Sequence, residues 1–257
     1  MNEYLLAIDV GNTNIVIGLY DETNLLASLR SSTNSKMTAD EFELFIKSSL
    51  TMKGFDPGLV SNIAIASVVP SALPALKKFS VQLTGKPPLL IAPGIKTGLS
   101  INYENPHDVG SDRIANAVAA LAKYPPPILV IDFGTAITID VLNESGEYLG
   151  GAIAPGINLS INSLCTKTAK LPNIDFAKPP SVIGRNSVHS MQAGIFFGYL
   201  DLVDGLVARI RKLFKQPPTI VATGGEANIF AQSSSSIERV DDNLTLDGIK
   251  IIFERNR

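Results

Sequence analysis

Residues 5–20, LLAIDVGNTNIVIGLY, and residues 128–142, ILVIDFGTAITIDVL, are two versions of one pattern: laying Asp9 on Asp132 also lays Gly11 on Gly134, at the same offset of 123 residues. Each copy is an apolar run, an Asp-x-Gly turn and a second apolar run, as in a buried β-hairpin. A repeat at that distance in 257 residues makes the chain two similar halves. In the first, strands are predicted at 4–8, 15–20 and 25–29, turning at Asp21 and Glu22; in the second, at 128–131, 137–142 and 148–153, with a turn over 143–146. Later in each half a buried strand runs into a helix. One pair is 63–69 through Pro70 to 73–83, the other 219–223 through Gly224 and Gly225 to a helix near Asn228.

Thr38 and Glu41, three residues apart, form a capping box opening a helix that buries Phe42, Phe45, Ile46 and Leu50 and ends at Gly54 and Pro57. Further helices are predicted over 111–122, 159–168 and 191–214. Proline runs beginning at Pro87, Pro125 and Pro217 stand just ahead of apolar strands. Proline cannot donate to a strand ladder, so each run fixes where a strand begins. The tetraserine 233–236 reads as an exposed loop. The halves divide as domains 1–123 and 124–257, an α/β chain with a cleft where the domains meet.

Charged residues are only 18% of the chain and hydrophobic ones 45%, which implies strands buried on both sides, a subunit interface, or both. A net charge of −2 gives no bulk attraction to nucleic acid or an anionic membrane, so a phosphate ligand must be held locally. The single cysteine, Cys165, excludes an internal disulfide and suits a reducing cytoplasm; among Ile161, Leu164 and Leu171 it reads as a buried structural thiol. Glu3 and Asp9 interrupt the first apolar stretch, and no apolar run approaches the roughly 18 residues of a membrane span. A cytoplasmic protein is expected.

In IDVGNTN, Gly11 lets backbone amides approach a phosphate, Asn12, Thr13 and Asn14 add neutral donors, and Asp9 is placed to hold magnesium through water. A single copy would serve equally as a plain polar turn. The second copy, IDFGTA, with Asp132, Gly134 and Thr135, weighs against that. Two carboxylates approaching one polyphosphate repel strongly unless a cation lies between them, so a metal is implied. TGGEAN, 223–228, offers two glycines on which adenine or ribose could lie, then a helix start that favours negative charge.

In GSDR, Gly110 turns the chain, Ser111 can cap the following helix, and Asp112 and Arg113 fall in its first turn, where the helix dipole favours an anion. Asp112 is then a dependable acceptor for a substrate hydroxyl, which suffices for phosphoryl transfer through a loose transition state. Arg113 is a planar fork for carboxylate or phosphate. On residue types alone, ordinary capping and surface charge stay open as the plainer account. His107 and His189 are too few for a metal site. Neither a P-loop motif nor a GxGxxG after the first strand is present, which argues against a P-loop kinase and a dinucleotide oxidoreductase.

Two Asp-x-Gly hairpins followed by a Gly-Gly motif resemble the acetate and sugar kinase, heat-shock chaperone and actin superfamily. The resemblance implies an actin-like ATPase fold of two ribonuclease-H-like domains, each of duplicated βββαβα type. More closely, the chain resembles the type III pantothenate kinases. The match runs in order through IDVGNTN (8–14), NPHDVGSDRIAN (105–116), IDFGTA (131–136), GGAIAPG (150–156), GRNSVHSMQAG (184–194) and TGGEA (223–227), with GxDRIAN the specific signal.

This closer resemblance implies ATP-dependent phosphorylation of pantothenate to 4′-phosphopantothenate, the first step of coenzyme A biosynthesis. It implies ATP held by Asp9, Val10, Gly11, Asn12, Thr13, Asn14, Ile15 and Val16 together with Thr135. Pantothenate would be held by Tyr103, Gly110, Ser111, Asp112, Arg113 and Ser187, with Asp112 as proton acceptor. A monovalent cation, potassium or ammonium, would sit at Asp132, beside the magnesium read at Asp9. Family members often carry Thr where this chain has Ser187, so the hydroxyl is kept and a methyl lost. A homodimer is implied too, with the substrate pocket completed across the interface. The helix from Met191, apolar on more than one face through Ile195, Phe196, Phe197, Tyr199, Leu200, Leu202 and Val203, suits such a partner. No nucleic-acid or membrane partner is expected. Two other readings are a related small-molecule kinase with another alcohol substrate and a non-catalytic nucleotide-binding regulator.

Overall fold

The computed structural model describes residues 3–92 and 94–257. In one unit, β1 (Tyr4–Val10), β2 (Asn14–Tyr20) and β3 (Leu25–Ser32) form an antiparallel meander. β1 also pairs in parallel with β4 (Val60–Ser67), and β4 with the short β5 (Leu89–Leu90). In the other unit, β6 (Ile128–Phe133), β7 (Ala136–Leu142) and β8 (Tyr148–Pro155) repeat the meander. β6 pairs in parallel with β9 (Thr219–Gly224), and β9 with β10 (Arg239–Val240). The order β3-β2-β1-β4-β5 thus recurs as β8-β7-β6-β9-β10. The fold is the two-domain actin-like class. Each proline run does stand immediately ahead of a strand, β5, β6 or β9.

Alternation within β1 sends Leu6, Ile8 and Val10 to one face, where they meet Phe42, Ile46 and Leu50 of α1 (Ala39–Met52) and Leu76 and Phe79 of α2 (Leu73–Thr84). The α1 capping box is present: Glu41 N donates to Thr38 Oγ1 at 3.3 Å and Thr38 N to Glu41 Oε2 at 2.7 Å. Phe45, expected in the core, is only half-buried.

On the opposite face Gly18, Ala7 and Ala64 stand in register across three strands. That row of small residues leaves room for α7 (Leu244–Arg255): a Cβ on Gly18 would lie 3.1 Å from Leu246 Cδ1. Tyr20 Oη donates to Asp247 Oδ1 at 2.6 Å, and Gly248 brings α7 against the Ala115 carbonyl of α3 (Ser111–Lys123). Hence the first compact unit comprises residues up to 99, 104–122 and 243–257, and the second 100–103 and 123–242. The expected division at 123/124 differs from these units at residues 243–257, where the apolar side of α7 covers the first sheet.

The second core packs Leu129, Ile131, Phe133, Ile137 and Ile139 against α4 (Ile157–Lys167), α5 (Ser187–Arg211) and α6 (Ala227–Ala231). Phe133 stacks on Phe230 at 4.9 Å between ring centroids. The tetraserine is no free loop. Ser234 Oγ donates to Asp204 Oδ1 at 2.6 Å, and Ser235 N and Oγ both donate to Asp204 Oδ2 at 2.9 Å. Cys165 is half-buried, with Sγ 3.2 Å from the Pro172 carbonyl oxygen, and not sealed in the core. Among the described residues no helix is long and apolar enough to cross a membrane.

Candidate active site

In the first unit the β1–β2 turn is closed by Gly11 N donating to Asn14 O at 3.0 Å. A Cβ at Gly11 would stand 3.1 Å from that same oxygen, so glycine keeps the turn tight. Asp9 is half-buried one residue before the end of β1, while Asn12 and Thr13 are exposed at the tip. Val10 and Ile15 point into the core under α1 and α2, so only their backbone is available to a nucleotide. Thr33, just past β3, holds the turn from behind: its N donates to Thr13 O at 2.9 Å and its Oγ1 to Gly11 O at 2.6 Å. With those carbonyls engaged, the turn presents less negative charge to a phosphate. Thr33 lies 22 residues from Gly11, too far along the chain for the turn motif to point to it.

The same unit carries Gly110, Ser111, Asp112 and Arg113 at the start of α3. Ser111 does not cap this helix. It is the first helical residue, and its Oγ donates to Ser67 O at the end of β4, at 3.2 Å, tying α3 to the sheet. Gly110 supplies the cap through its backbone, Ile114 N donating to Gly110 O at 3.0 Å. The Asp112 carboxylate folds over the Cα of Gly110, where any side chain would collide with Oδ1, and Arg113 N donates to that Oδ1 at 2.8 Å. The spacing Gly-x-Asp is thus steric: a bare residue 110 is what lets the carboxylate lie there. Arg113 itself is buried, at 8% exposure. Beside Gly110 and Ser111 opens a cavity of about 310 Å³, walled by Ile65, Val68, Leu73, Leu90, Ile91 and Ile114 with His107 and Asp108 among its polar residues.

In the second unit Asp132 lies opposite Thr138 on β7 and Thr223 on β9, the place Asp9 holds in the first sheet. Its Oδ1 is flanked by two glycines, 2.7 Å from where a Cβ would stand on Gly224 and 3.6 Å from one on Gly134. Gly224 adopts φ +94°, and Gly225 N donates to Phe133 O at 3.1 Å. Gly156 N donates to Thr135 O at 3.0 Å, and the Thr135 side chain is exposed. α6, read from sequence as a helix start favouring negative charge, is five residues long and has no side-chain cap; so short a helix carries little dipole. Among the described residues no three His, Cys, Asp or Glu gather as a metal cluster. A cation at Asp132 would rely on one carboxylate, peptide carbonyls and the ligand, a hard-oxygen set suited to a weakly held ion.

A family profile described as type III pantothenate kinase matches residues 5–209, including the Asp9 hairpin, the Gly110–Arg113 turn and the Asp132 hairpin. The chain belongs to the type III pantothenate kinase family. Members from Geotalea daltonii and Myxococcus xanthus, both called type III pantothenate kinase, are each 47% identical to it, over 98% of this chain and 99% and 98% of theirs. A relative of the same name from Citrifermentans bemidjiense is 48% identical over 98% of this chain and its own full length. Among solved structures, a Baf-family protein of Campylobacter jejuni superposes with TM-score 0.62 at 21% identity, covering 98% of both chains. Component A of the Acidaminococcus fermentans (R)-2-hydroxyglutaryl-CoA dehydratase gives 0.59 at 13%, over 99% of this chain and all of that one. These two likenesses speak to fold.

The residues the family resemblance singles out fall in both units. Asp9 to Val16 and Gly110 to Arg113 lie in the first; Tyr103, Asp132, Thr135 and Ser187 lie in the second. Tyr103 is 38% exposed, on a segment paired with Tyr148. Ser187 is exposed in the first turn of α5, which Asn186 caps by accepting from His189 N at 2.8 Å.

Proposed function

We propose that this chain transfers the γ-phosphoryl group of ATP to the primary hydroxyl of pantothenate, giving 4′-phosphopantothenate and ADP at the start of coenzyme A biosynthesis. The observation that carries this reading is the Asp112 carboxylate seated on Gly110 beside a cavity with aliphatic walls. Arg113 N occupies Oδ1, which leaves Oδ2 to accept the hydrogen of the attacking alcohol. The branched, apolar part of pantothenate suits that cavity. The hydroxyl oxygen bonds to the γ-phosphorus as the bond to the ADP oxygen breaks, and the proton passes late to Asp112.

The turn 11–14, its carbonyls engaged by Thr33, directs amides to the phosphates, and Asp9 would hold magnesium through water. Asp132 would hold potassium or ammonium, and Thr135 contacts ATP. When bound, these cations offset phosphate charge. Gly110, Ser111, Arg113, Tyr103 and Ser187 complete the pantothenate site.

The working form in this reading is a cytoplasmic homodimer. Val182 and Ile183 are 65% and 75% exposed, and Val188 beside Ser187 is 38% exposed; an apolar surface of this kind is suited to a second copy. Light scattering should then give twice the 27.4 kDa chain mass.

An ADP-release assay with pantothenate against a panel of small alcohols, with and without potassium, tests the activity. Turnover should be confined to pantothenate and close analogues; ADP release with another alcohol alone would replace the substrate. Asp112→Asn should leave ATP affinity intact and lower kcat by about 10²–10⁴-fold. Unchanged turnover would remove Asp112 from the reaction.

A further inference from the structure

Of the GGAIAPG segment only Gly156 has entered the site so far, through Thr135, yet each of its glycines marks a place with no room for a side chain. Gly151 abuts the backbone of Ile139 and Asp140, and Gly156 the carbonyls of Gly134 and Thr135. Gly150 differs, because what fills its missing side chain is an aromatic ring. Its backbone is left-handed, at φ +105°, and a Cβ there would lie 2.8 Å from Cε2 and 3.0 Å from Cδ2 of Tyr103.

Tyr103 reaches that seat through β8. Tyr148 N donates to Ser100 O, and Asn102 N to Tyr148 O, each at 2.8 Å. The Tyr103 ring meets Tyr148 edge to face, with centroids 6.3 Å apart and planes at 63°. Tyr148 Oη in turn donates at 2.7 Å to Asp140, a fully buried carboxylate. The ring is therefore fixed by Gly150 and by Tyr148, and 38% of the residue is left open to a ligand.

We propose that Gly150 is a positioning residue of the acceptor site: its bare Cα seats the Tyr103 ring and so sets affinity for pantothenate. The proposal rests on the assignment of Tyr103 to the pantothenate site. Ordinary carbon contacts begin near 3.4 Å, so a methyl at 150 must push the ring by roughly half an ångström or more. Displacements approaching an ångström are enough to weaken a fitted site many-fold. Among the described residues, and apart from its chain neighbours, a Cβ at Gly150 would meet Tyr103 alone within 4 Å, and Thr135 lies near Gly156 at the far end of β8. The effect should fall on pantothenate and spare ATP.

Steady-state kinetics of Gly150→Ala test this. The KM for pantothenate should rise about tenfold or more while the KM for ATP stays within about twofold. Tyr103→Ala should raise the same KM. Adding Gly150→Ala to Tyr103→Ala should then cost nothing further in that KM, since no ring remains to displace. A Gly150→Ala penalty that persists without the ring, or that spreads equally over both KM values, overturns the proposal and makes Gly150 a purely structural glycine. No effect of Tyr103→Ala on pantothenate also overturns it, while wild-type turnover keeps the kinase reading intact. If Gly150→Ala yields no folded protein, the left-handed backbone at φ +105° is the cause, and Gly150→Asn, the side chain best tolerated at positive φ but still facing the ring, takes its place in the same cycle.

Discussion

The two Asp-x-Gly hairpins share a register and differ in what braces them. Behind the first stands a side chain: Thr33 reaches across from the end of β3 and holds two turn carbonyls through its hydroxyl and its amide. Around the second, backbone closes in: Gly156, Gly224 and Gly225 press on Phe133, Gly134 and Thr135. In the proposed reading, one duplicated element serves two ligand chemistries, and its neighbours differ more than its own residues do. The first can be broken by removing atoms, the second by adding them.

Addition should do the greater damage. Gly224→Ala puts a methyl 2.5 Å from Phe133 O and 2.7 Å from Asp132 Oδ1 at a φ of +94°. It should lower kcat/KM by about 100-fold or more and destabilise by about 2–4 kcal/mol in urea unfolding. Near-wild-type behaviour would show that the backbone brace yields.

Removal comes next. Thr33→Val deletes one hydrogen bond, worth about 0.5–1.5 kcal/mol net, and leaves Gly11 O short of a donor. The KM for ATP should rise about 3–10-fold, and Thr33→Ser should restore it; equal values for Val and Ser would mean the hydroxyl is idle.

Exchanging the cation should have a smaller effect, with rates higher in potassium or ammonium than in sodium at equal ionic strength. Asp132→Asn should flatten that difference. Equal rates in all three salts with the native chain would detach Asp132 from a cation.

The smallest effect lies away from both hairpins, at Asp204. Burial raises the pKa of its carboxyl, but hydrogen bonds from Ser234 and from the Ser235 amide and hydroxyl outweigh this and hold it below the usual carboxylate value. A depressed carboxylate contributes stability above its unfolded pKa of about 3.9 and loses it as pH falls through the lower folded value. Unfolding midpoints of Asp204→Asn and the native chain should therefore converge on acidification below about pH 4. A constant gap down to pH 2 would show no linkage at Asp204.

The hairpins, the α1 capping box and the strand starts after proline were legible because each is written in residues close together in the chain. Asp112 was legible as a residue; its seat on Gly110 and the tie from Ser111 to Ser67 were not, since the last spans 44 positions. Thr33 resembles any strand-end threonine until the turn it braces is in place. Tyr103 and Gly150 were both marked by the resemblance, but their contact arises only because Tyr148 draws residues 100–103 alongside β8. α7 was missed altogether. Its buried residues are Leu244, Leu246, Gly248, Ile249 and Ile252, a pattern in which Gly248 takes a place usually filled by an apolar side chain. Contact with Ala115 is what requires a glycine there.

The return of α7 to the first sheet also sets an order of assembly. On a ribosome, residues 123–242 emerge with nearly all of the second unit in hand, whereas the first sheet waits for residues 243–257 before its row of Gly18, Ala7 and Ala64 is covered. The half made first is the half completed last, so a nascent chain holds an uncovered sheet face throughout synthesis of the other unit.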